Sequence, residues 1–490
     1  MTGPVEAETL ALVHEAATAL EGTPHAVELA AIEERLRGPL RIAIAGRVKA
    51  GKSTLLNALV GARLAPTDAG ECTKIVSCYR NGPIYRVDAQ LHNGERQQLK
   101  FTRLENSLDV ELGGLHEDDV AFLDIQWPTS KLQQVTLIDT PGLESLNDEN
   151  SRRTRDFLEI ESGGGNDVDA VIYLMRHLHV TDVAFLDAFM DRSVPESSPI
   201  NAIAVLSRAD EVGAGRLDAM ESATRIADRY RTSEQIRVLA ATVVPIAGLL
   251  AETGLTLREE EAAALRSIAG LDPDVRESAL MSAKHFLDVS VSDLTVEQRV
   301  DLLDRLGMFG LRRALHEIDQ GATNASELAP RLTAVSGLQA LSDIIEGQIL
   351  PRARVLQSRA ALNSMSQLAD RLQVPMPEVA ARIGHEVERI EATATEFAQM
   401  RAAHLVASGM ANVSRSDRVP LERLLLDAPS PTALGLAANA SNEEVMQAAG
   451  QAASRWRGRA NDPLAGVTES EVFEAAARTA EAMYASASPS

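Results

Sequence analysis

Phenylalanine, tyrosine and tryptophan together make up only 3% of the 490 residues, and lysine occurs at just six positions, 49, 52, 74, 100, 131 and 284. So few aromatics, beside abundant Ala, Leu and Arg, argue against a β-rich protein and for long helices. The two cysteines, Cys72 and Cys78, have no nearby His partners, which excludes a zinc site and agrees with a reducing compartment; both are expected buried or half-buried and inert. No apolar run is long enough to span a bilayer, and Met1-Thr-Gly-Pro-Val-Glu-Ala-Glu lacks the basic and apolar regions of a signal peptide, so the cytosol is the expected compartment. A formal charge of −22 argues against a general nucleic-acid binder, since phosphate backbones demand clustered Lys and Arg. Any contact with anionic lipid must then be local. A chain of this length exceeds one ordinary core and predicts two or three domains.

Against that scarcity, two lysines inside one short loop stand out. The stretch Ile44-Ala-Gly-Arg-Val-Lys-Ala-Gly-Lys-Ser-Thr54 has the form GxxxxGKS between an apolar strand, Leu40 to Ala45, and a helix. Glycines at 46 and 51 let the backbone N–H groups of Gly46, Arg47, Val48, Lys49, Ala50 and Gly51 wrap phosphate oxygens, and the following helix, opening at Lys52, Ser53 and Thr54, adds its positive end. Lys52 reaches the β/γ-phosphates and the Ser53 hydroxyl ligates Mg²⁺. The alternative, an ordinary strand-to-helix connection, does not require the whole pattern.

A second block, Val135-Thr-Leu-Ile-Asp-Thr-Pro-Gly142, is a buried strand ending in DTPG. Asp139 is placed to hold the magnesium shell and the Gly142 N–H to meet the γ-phosphate, although Pro-Gly also favours a simple turn. The third block, Ile200 to Asp210, closes in Ser207-Arg-Ala-Asp210, a variant of the guanine motif [NT]KxD. A carboxylate at Asp210 accepts from guanine N1–H and the 2-amino group, a donor pair adenine does not offer, so GTP is favoured over ATP. Arg208 keeps the charge and the aliphatic stem of the usual lysine, and Ser207 stands where a residue normally braces the phosphate loop. Within Leu64 to Lys74, Thr73 is the expected Mg²⁺ ligand, with Thr67 competing. The fifth loop is expected at Val243 to Gly248, where the Ala247 and Gly248 backbone approaches the base. Leu143 follows DTPG where some GTPases place a water-orienting glutamine, so the site looks incomplete as an isolated unit. Lys49 is expected near the bridging β/γ oxygen, supplying charge in the transition state, or else as a solvated side chain on the loop's outer surface.

Five elements in this order predict an α/β, doubly wound, mostly parallel core over residues 36–321. Its parallel strands are Leu40 to Ala45, Val135 to Asp139, Val168 to Met175, Ile200 to Leu206 and Thr242 to Ile246. An antiparallel hairpin, Ile75 to Arg80 and Ile84 to Leu91 about Asn81-Gly82, extends the edge. The remainder reads as an elongated α-helical bundle. An N-terminal arm, residues 1–35, places Leu10, Val13, Ala17 and Leu20 on one face. Residues 322–490 carry a stripe Leu338, Leu341, Ile345 and Ile349 up to a kink at Pro351, then Val355, Leu362, Met365 and Leu372, and a return helix with Val379, Ile383, Val387, Ile390, Ala394 and Phe397. At about 1.5 Å per residue the outgoing piece reaches roughly 33 Å and the return roughly 49 Å, which leaves the turn near 371–377 at the far tip. The arm and the helices Glu443 to Arg459 and Glu469 to Met483 complete that bundle. Arg371, Leu372, Val374 and Met376 at the tip read either as a cation with exposed aliphatics for lipid or as an ordinary helix–helix turn. Arg415 to Leu426 is a second, more acidic candidate nearer the neck.

Together, GRVKAGKST, the threonine after Leu-x-Pro, DTPG followed by a hydrophobic residue, SRAD, the N-terminal arm and the helical hairpin resemble bacterial dynamin-like proteins over nearly the whole chain. The resemblance implies a GTP-hydrolysing mechanoenzyme with GTPase domain, neck and trunk, taking GTP as substrate with Mg²⁺ and using Lys49, Lys52 and Thr73 in catalysis. It further implies phospholipid binding at the trunk tip, self-association through GTPase domains, assembly with a paralogue as a further option, and membrane remodelling, with fission favoured over fusion, at the inner face of the plasma membrane in a cell-envelope stress response. Val48-Lys49 replaces the Gln-Ser of eukaryotic dynamins, and no pleckstrin-like domain or Pro-rich tail is visible, so lipid binding falls to a short loop and requires multivalent assembly. A GTP-binding scaffold and an RNA-associated GTPase are the rivals; residues 331–490 hold no lysine and about as many acids as arginines, which counts against the latter.

Overall fold

The computed structural model describes residues 4–65, 75–103, 108–141, 168–178, 182–183, 186, 201–237, 239–288, 294–426 and 430–488. Thr67, Cys72, Thr73, Gly142 and Leu143 lie outside the described residues.

The strands are β1 (Leu40–Gly46), β2 (Ser77–Asn81), β3 (Arg86–Leu91), β4 (Arg96–Gln98), β5 (Lys100–Arg103), β6 (Leu108–Glu111), β7 (Val120–Trp127), β8 (Val135–Asp139), β9 (Ala170–Met175), β10 (Ala202–Ser207) and β11 (Thr242–Ile246). Nine of them form one sheet, ordered β11-β10-β9-β1-β8-β2-β7-β3-β4, and β5 pairs with β6 apart from it. The five from β11 to β8 run parallel, as the sequence predicts. They form because each is apolar on both faces. In β1, Ile42 and Ile44 face one core while Ala43 and Ala45 face the other. β9 repeats this with Ile172 and Leu174 against Val171 and Tyr173, the near-continuous apolar run of a doubly covered parallel sheet.

The predicted hairpin about Asn81-Gly82 does not form. β2 pairs antiparallel with β8 and parallel with β7, and it is β7 that carries β3 on its other side. β7 therefore separates the two expected partners. A Cβ on Gly82 would come within 2.7 Å of Gln126 Oε1, so the chain leaves β2 beneath a β7 side chain and does not turn back alongside itself.

Helices α1 (Pro4–Ala19) and α2 (His25–Arg37) precede the sheet and α3 (Lys52–Val60) follows β1. After β10 come α4 (Ala219–Thr232) and the single turn α5 (Glu234–Arg237). Next are α6 (Gly248–Thr256), α7 (Glu259–Ala269), α8 (Pro273–Ala279), α9 (Ala283–Asp288), α10 (Val296–Asp319) and α11 (Ala325–Val335). The rest are α12 (Leu338–Ile344), α13 (Ala353–Leu372), α14 (Pro377–Thr393), α15 (Thr395–Ala407), α16 (Arg415–Leu426), α17 (Asn442–Ala460) and α18 (Val467–Ala487). Helices α6 to α11 share a core of their own containing Leu250, Leu265, Phe286, Leu306, Phe309 and Leu332, and Ala247 N–H donates to Ser336 O (2.9 Å), joining the end of β11 to its exit.

Between α12 and α13 the chain passes through a π-helical turn, Ile345–Ile349, and a tight turn, Leu350–Arg352. Pro351 has no N–H to give the ladder, and Arg352 restrains the irregular stretch by donating to Gln348 O (2.8 Å) and Leu425 O (3.1 Å). The return from α13 is not one long rod. It breaks at Ala394, whose ψ of 113° is extended, into α14 and α15. The helices then sort into two groups. α1, α2, α13 and α14 close around Leu12, Leu29, Ile32, Leu362, Met365, Ile383 and Val387, whereas α15 to α18 close around Met400, Val406, Leu424, Trp456, Phe473 and Ala476. One bundle containing both the N-terminal arm and the last two helices is thus replaced by two adjoining ones.

Candidate functional site

The phosphate loop is built by backbone geometry that only part of its sequence favours. Gly46 (φ +148°) abuts β9 so closely that a Cβ would lie 2.5 Å from Leu174 O, and Gly51 (φ +95°) opens α3 in the left-handed region. Lys49 adopts φ +62° without being glycine. Arg47, Val48 and Lys49 are exposed on the loop's outer surface and Ala50 is buried beneath it. Lys52 Nζ donates to Gly46 O (3.2 Å) and Arg47 O (3.4 Å), curling the lysine over the loop's mouth. Burial pulls its pKa down, against the opposing charge of Asp139.

Asp139, at the end of β8, accepts from Ser53 Oγ through Oδ2 (3.1 Å). Its Oδ1 is buried and has no hydrogen-bond partner. Burial pushes this carboxyl up to about 6, with Lys52 and the Ser53 hydrogen bond opposing. The orphaned carboxylate oxygen and the Ser53 hydroxyl are hard oxygen ligands of the kind Mg²⁺ takes, and the neighbouring Lys52 ammonium, which cannot ligate a cation, is suited to phosphate. Beside it, Thr140 Oγ1 is turned inward onto Ile44 O (3.0 Å), fixing the strand end from which Pro141 departs.

On the base side, Ser207 ends β10 with its Oγ buried and unpartnered, while Arg208 takes a left-handed φ of 52° and donates to Glu211 (2.8 Å). Arg176 also donates to Glu211, and these two bonds hold it below the usual carboxylate range although burial would raise it. Asp210 is raised to about 6, chiefly by burial. Ala247 is buried, and Gly248 lies so near α3 that a Cβ there would stand 3.5 Å from Thr54. The fifth loop and the first helix of the phosphate site therefore touch.

A cavity of about 560 Å³ is lined by Arg47, Val48 and Ala50 of the loop, by Leu174 to His177 at the end of β9, and by Leu206 to Arg208 at the end of β10. It unites the first and third sequence blocks; Asp210, Ala247 and Gly248 do not line it. Arg176, His177 and Glu211 escaped the sequence reading. The signal for the first two was there: they follow directly on an apolar strand, at the carboxyl edge where doubly wound sheets bind ligands.

The four residues expected at a tip fare unequally. Val374 is 92% exposed, but Leu372 is 1% exposed within the α1–α2–α13–α14 core, Met376 packs against that core, and Arg371 is bridged to Glu28. The α13–α14 turn consequently offers one aliphatic side chain where a row was expected, because helical periodicity turns Leu372 inward.

A model of the Dynamin family matches residues 42–202. The isoniazid-induced protein IniC of Mycobacterium tuberculosis is 37% identical over 462 residues, covering 94% of this chain and 92% of that protein. A bacterial dynamin-like protein of Nostoc punctiforme is 31% identical over 151 residues, 29% of this chain and 21% of its own. The solved structure of an oligomerised bacterial dynamin pair aligns over 82% of this chain and 79% of that one at 15% identity, with a TM-score of 0.29, a likeness too loose to carry any argument.

Proposed function

The chain belongs to the dynamin family, among its bacterial dynamin-like GTPases, and from that premise we propose that it hydrolyses GTP with Mg²⁺ and spends the cycle on remodelling a phospholipid membrane. The observation that carries the hydrolytic half is the Lys52–Ser53–Asp139 constellation with its orphaned Asp139 Oδ1. In this reading Gly46 to Thr54 cradle the phosphates, and Ser53 and Asp139 hold Mg²⁺ together with Thr73. The ion would draw charge from the β- and γ-phosphate oxygens as the terminal phosphoryl group leaves. Lys52 leaves its carbonyl partners for the β/γ-phosphates, Lys49 supplies further charge, and Gly142 N–H meets the γ-phosphate. Ser207, Arg208, Asp210, Ala247 and Gly248 receive the base.

The division that goes with this function is an arm of residues 1–35, a GTPase domain of 36–321 and a neck and trunk of 322–490, with α11 as the strap the last unit lays against α6. Head-to-head self-association, or pairing with a paralogue, completes the hydrolytic site. Fission is the favoured outcome, and a peripheral position at the inner face of the plasma membrane is the favoured place. No helix among the described residues is long and apolar enough to cross a membrane, which is compatible with peripheral attachment. A role in a cell-envelope stress response belongs to the same reading; the mycobacterial relative is named for induction by isoniazid.

Two measurements on the full chain test the proposal. Multiple-turnover phosphate release from GTP should require Mg²⁺ and vanish in Lys52→Ala; binding without turnover would reduce the protein to a nucleotide-dependent scaffold. Co-sedimentation with phospholipid vesicles should be strengthened by GTP, and its absence at every nucleotide state would reject the membrane half.

A further inference from the structure

Helix α10 contains a break. At Gly307 φ is +60° and ψ is 179°, a combination reserved for glycine, and the ladder of the helix is interrupted there. The break is held open from both sides. Thr253 Oγ1 of α6 donates to Arg305 O (2.6 Å), and Arg305 Nη2 donates to Thr256 O (3.1 Å) and Thr256 Oγ1 (2.9 Å). Beyond the break, Arg312 Nη1 donates to Ala214 O (2.8 Å) and Gly215 O (2.6 Å), clamping the second half of the helix onto the turn that carries Asp210. The closeness of that clamp is visible at Gly215, where a Cβ would lie 3.3 Å from Asp210 O and 3.4 Å from Phe309 N.

These bonds bring Gly307, one of two glycines in α10, against the Asp210 carboxylate. A Cβ on Gly307 would stand 3.9 Å from Asp210 Oδ2 and 3.8 Å from Leu249 Cδ1. Leu306 and Phe309, on either side, are buried in the helical core, so the backbone at 307 and 308 is the part left to border the site. A nitrogen hydrogen-bonded to Oδ2 lies about 2.9 Å from it, and a methyl at position 307 would stand in van der Waals contact with the same oxygen, at 3.9 Å.

We infer that Gly307 is a specificity-determining residue of the nucleobase site: the break in α10 sets bare backbone opposite Asp210 and leaves the space that the 2-amino group of guanine enters. The inference rests on the reading that the chain binds GTP. Its chemistry is selective. Hypoxanthine keeps N1–H but lacks the 2-amino group, whereas N2-methylguanine adds bulk at that point, so the three bases probe the same few cubic ångströms.

Equilibrium binding of GTP, ITP and N2-methyl-GTP to the full chain with Mg²⁺ tests it. In the parent protein N2-methyl-GTP should bind about ten-fold or more weaker than GTP, the scale of one misplaced methyl in a close-fitting pocket. Gly307→Ala should lower the preference for GTP over ITP by a similar factor. Equal binding of GTP and N2-methyl-GTP by the parent protein overturns the assignment without a variant being needed. A Gly307→Ala protein that loses GTP and ITP by the same factor, or keeps both, overturns it as well. A parent protein that binds no guanine nucleotide removes the GTP reading and this inference together.

Discussion

At the scale of single residues, the phosphate loop was legible and the base site only half so, for one physical reason. Phosphate is recognised by successive backbone N–H groups, hence by residues adjacent in the chain, and Gly46 to Ser53 spell that out. In the proposed reading the base is enclosed by segments far apart in sequence. Asp210 could be picked out from its own motif, but nothing in Gly307-Met-Phe-Gly310 announces that a broken helix will pass so near its carboxylate that a Cβ on Gly307 would stand 3.9 Å from it. Conformation was equally hidden at Lys49. Its φ of +62° is adverse for a lysine, by about 1 kcal/mol, and strain of that kind persists where function demands a side chain. Lys49→Gly should therefore raise the melting temperature of the nucleotide-free protein by a degree or more, the scale expected from about 1 kcal/mol, while Lys49→Gly and Lys49→Ala both lower turnover far more than GTP affinity. Equal losses of turnover and affinity would make Lys49 a binding contact, and a lower melting temperature in Lys49→Gly would show that the loop is not strained there.

At the scale of elements, the parallel strands could be read because burial on both faces writes itself as an uninterrupted apolar run, as in Ala170-Val-Ile-Tyr-Leu-Met175. Strand β7 was missed because Asp124 interrupts its run. That carboxylate sits 12% exposed and is gripped by Arg80 of β2 (2.5 and 2.7 Å) and by Arg96 of β4, so the charge is compensated by strands whose pairing no local pattern reveals. The α-helical stripes were read well, but not the break at Ala394 that separates α14 from α15. On α15, His404 is 6% exposed and burial lowers its pKa to about 4, against about 6.5 in an unfolded chain. The unfolded state then binds a proton that the folded state refuses. The stability this group contributes is present above pH 6.5 and is lost as pH falls toward 4, by roughly 3 kcal/mol in all. Denaturant titrations of the parent and His404→Gln between pH 6.5 and 4 should show a shallower decline for the variant, and parallel declines would place the acid sensitivity elsewhere.

For the whole molecule, the helical half is organised by how it binds the N-terminal arm. Ion pairs Arg389–Glu8 (3.0 Å), Arg382–Glu15 (3.4 Å) and Arg371–Glu28 run along α1 and α2, and each individually is exposed enough to be worth little. What holds the arm is its apolar stripe, Leu12, Val13, Leu20, Leu29 and Ile32, closing on Leu362, Met365, Leu368 and Leu372. This packing decides how a lipid-binding end of α13–α14 has to be tested. Leu372 is a member of the core, so Leu372→Asp buries a charge and should cost on the order of 4 kcal/mol, and any vesicle binding it loses would report a damaged bundle. Val374 is 92% exposed, and Val27, 77% exposed on the helix whose Glu28 bridges Arg371, stands at the same end. Val374→Asp should leave the melting temperature and GTP turnover in solution unchanged, since exposed substitutions alter stability by only about 0.5 kcal/mol. If this end enters the headgroup region, losing one inserted valine weakens attachment by roughly five-fold per subunit, and assembly on the bilayer multiplies that factor. Co-sedimentation of Val374→Asp and of Val27→Asp/Val374→Asp with anionic vesicles reads it directly. Undiminished binding of the double variant, with its fold intact by melting, would move the membrane contact to another part of the molecule.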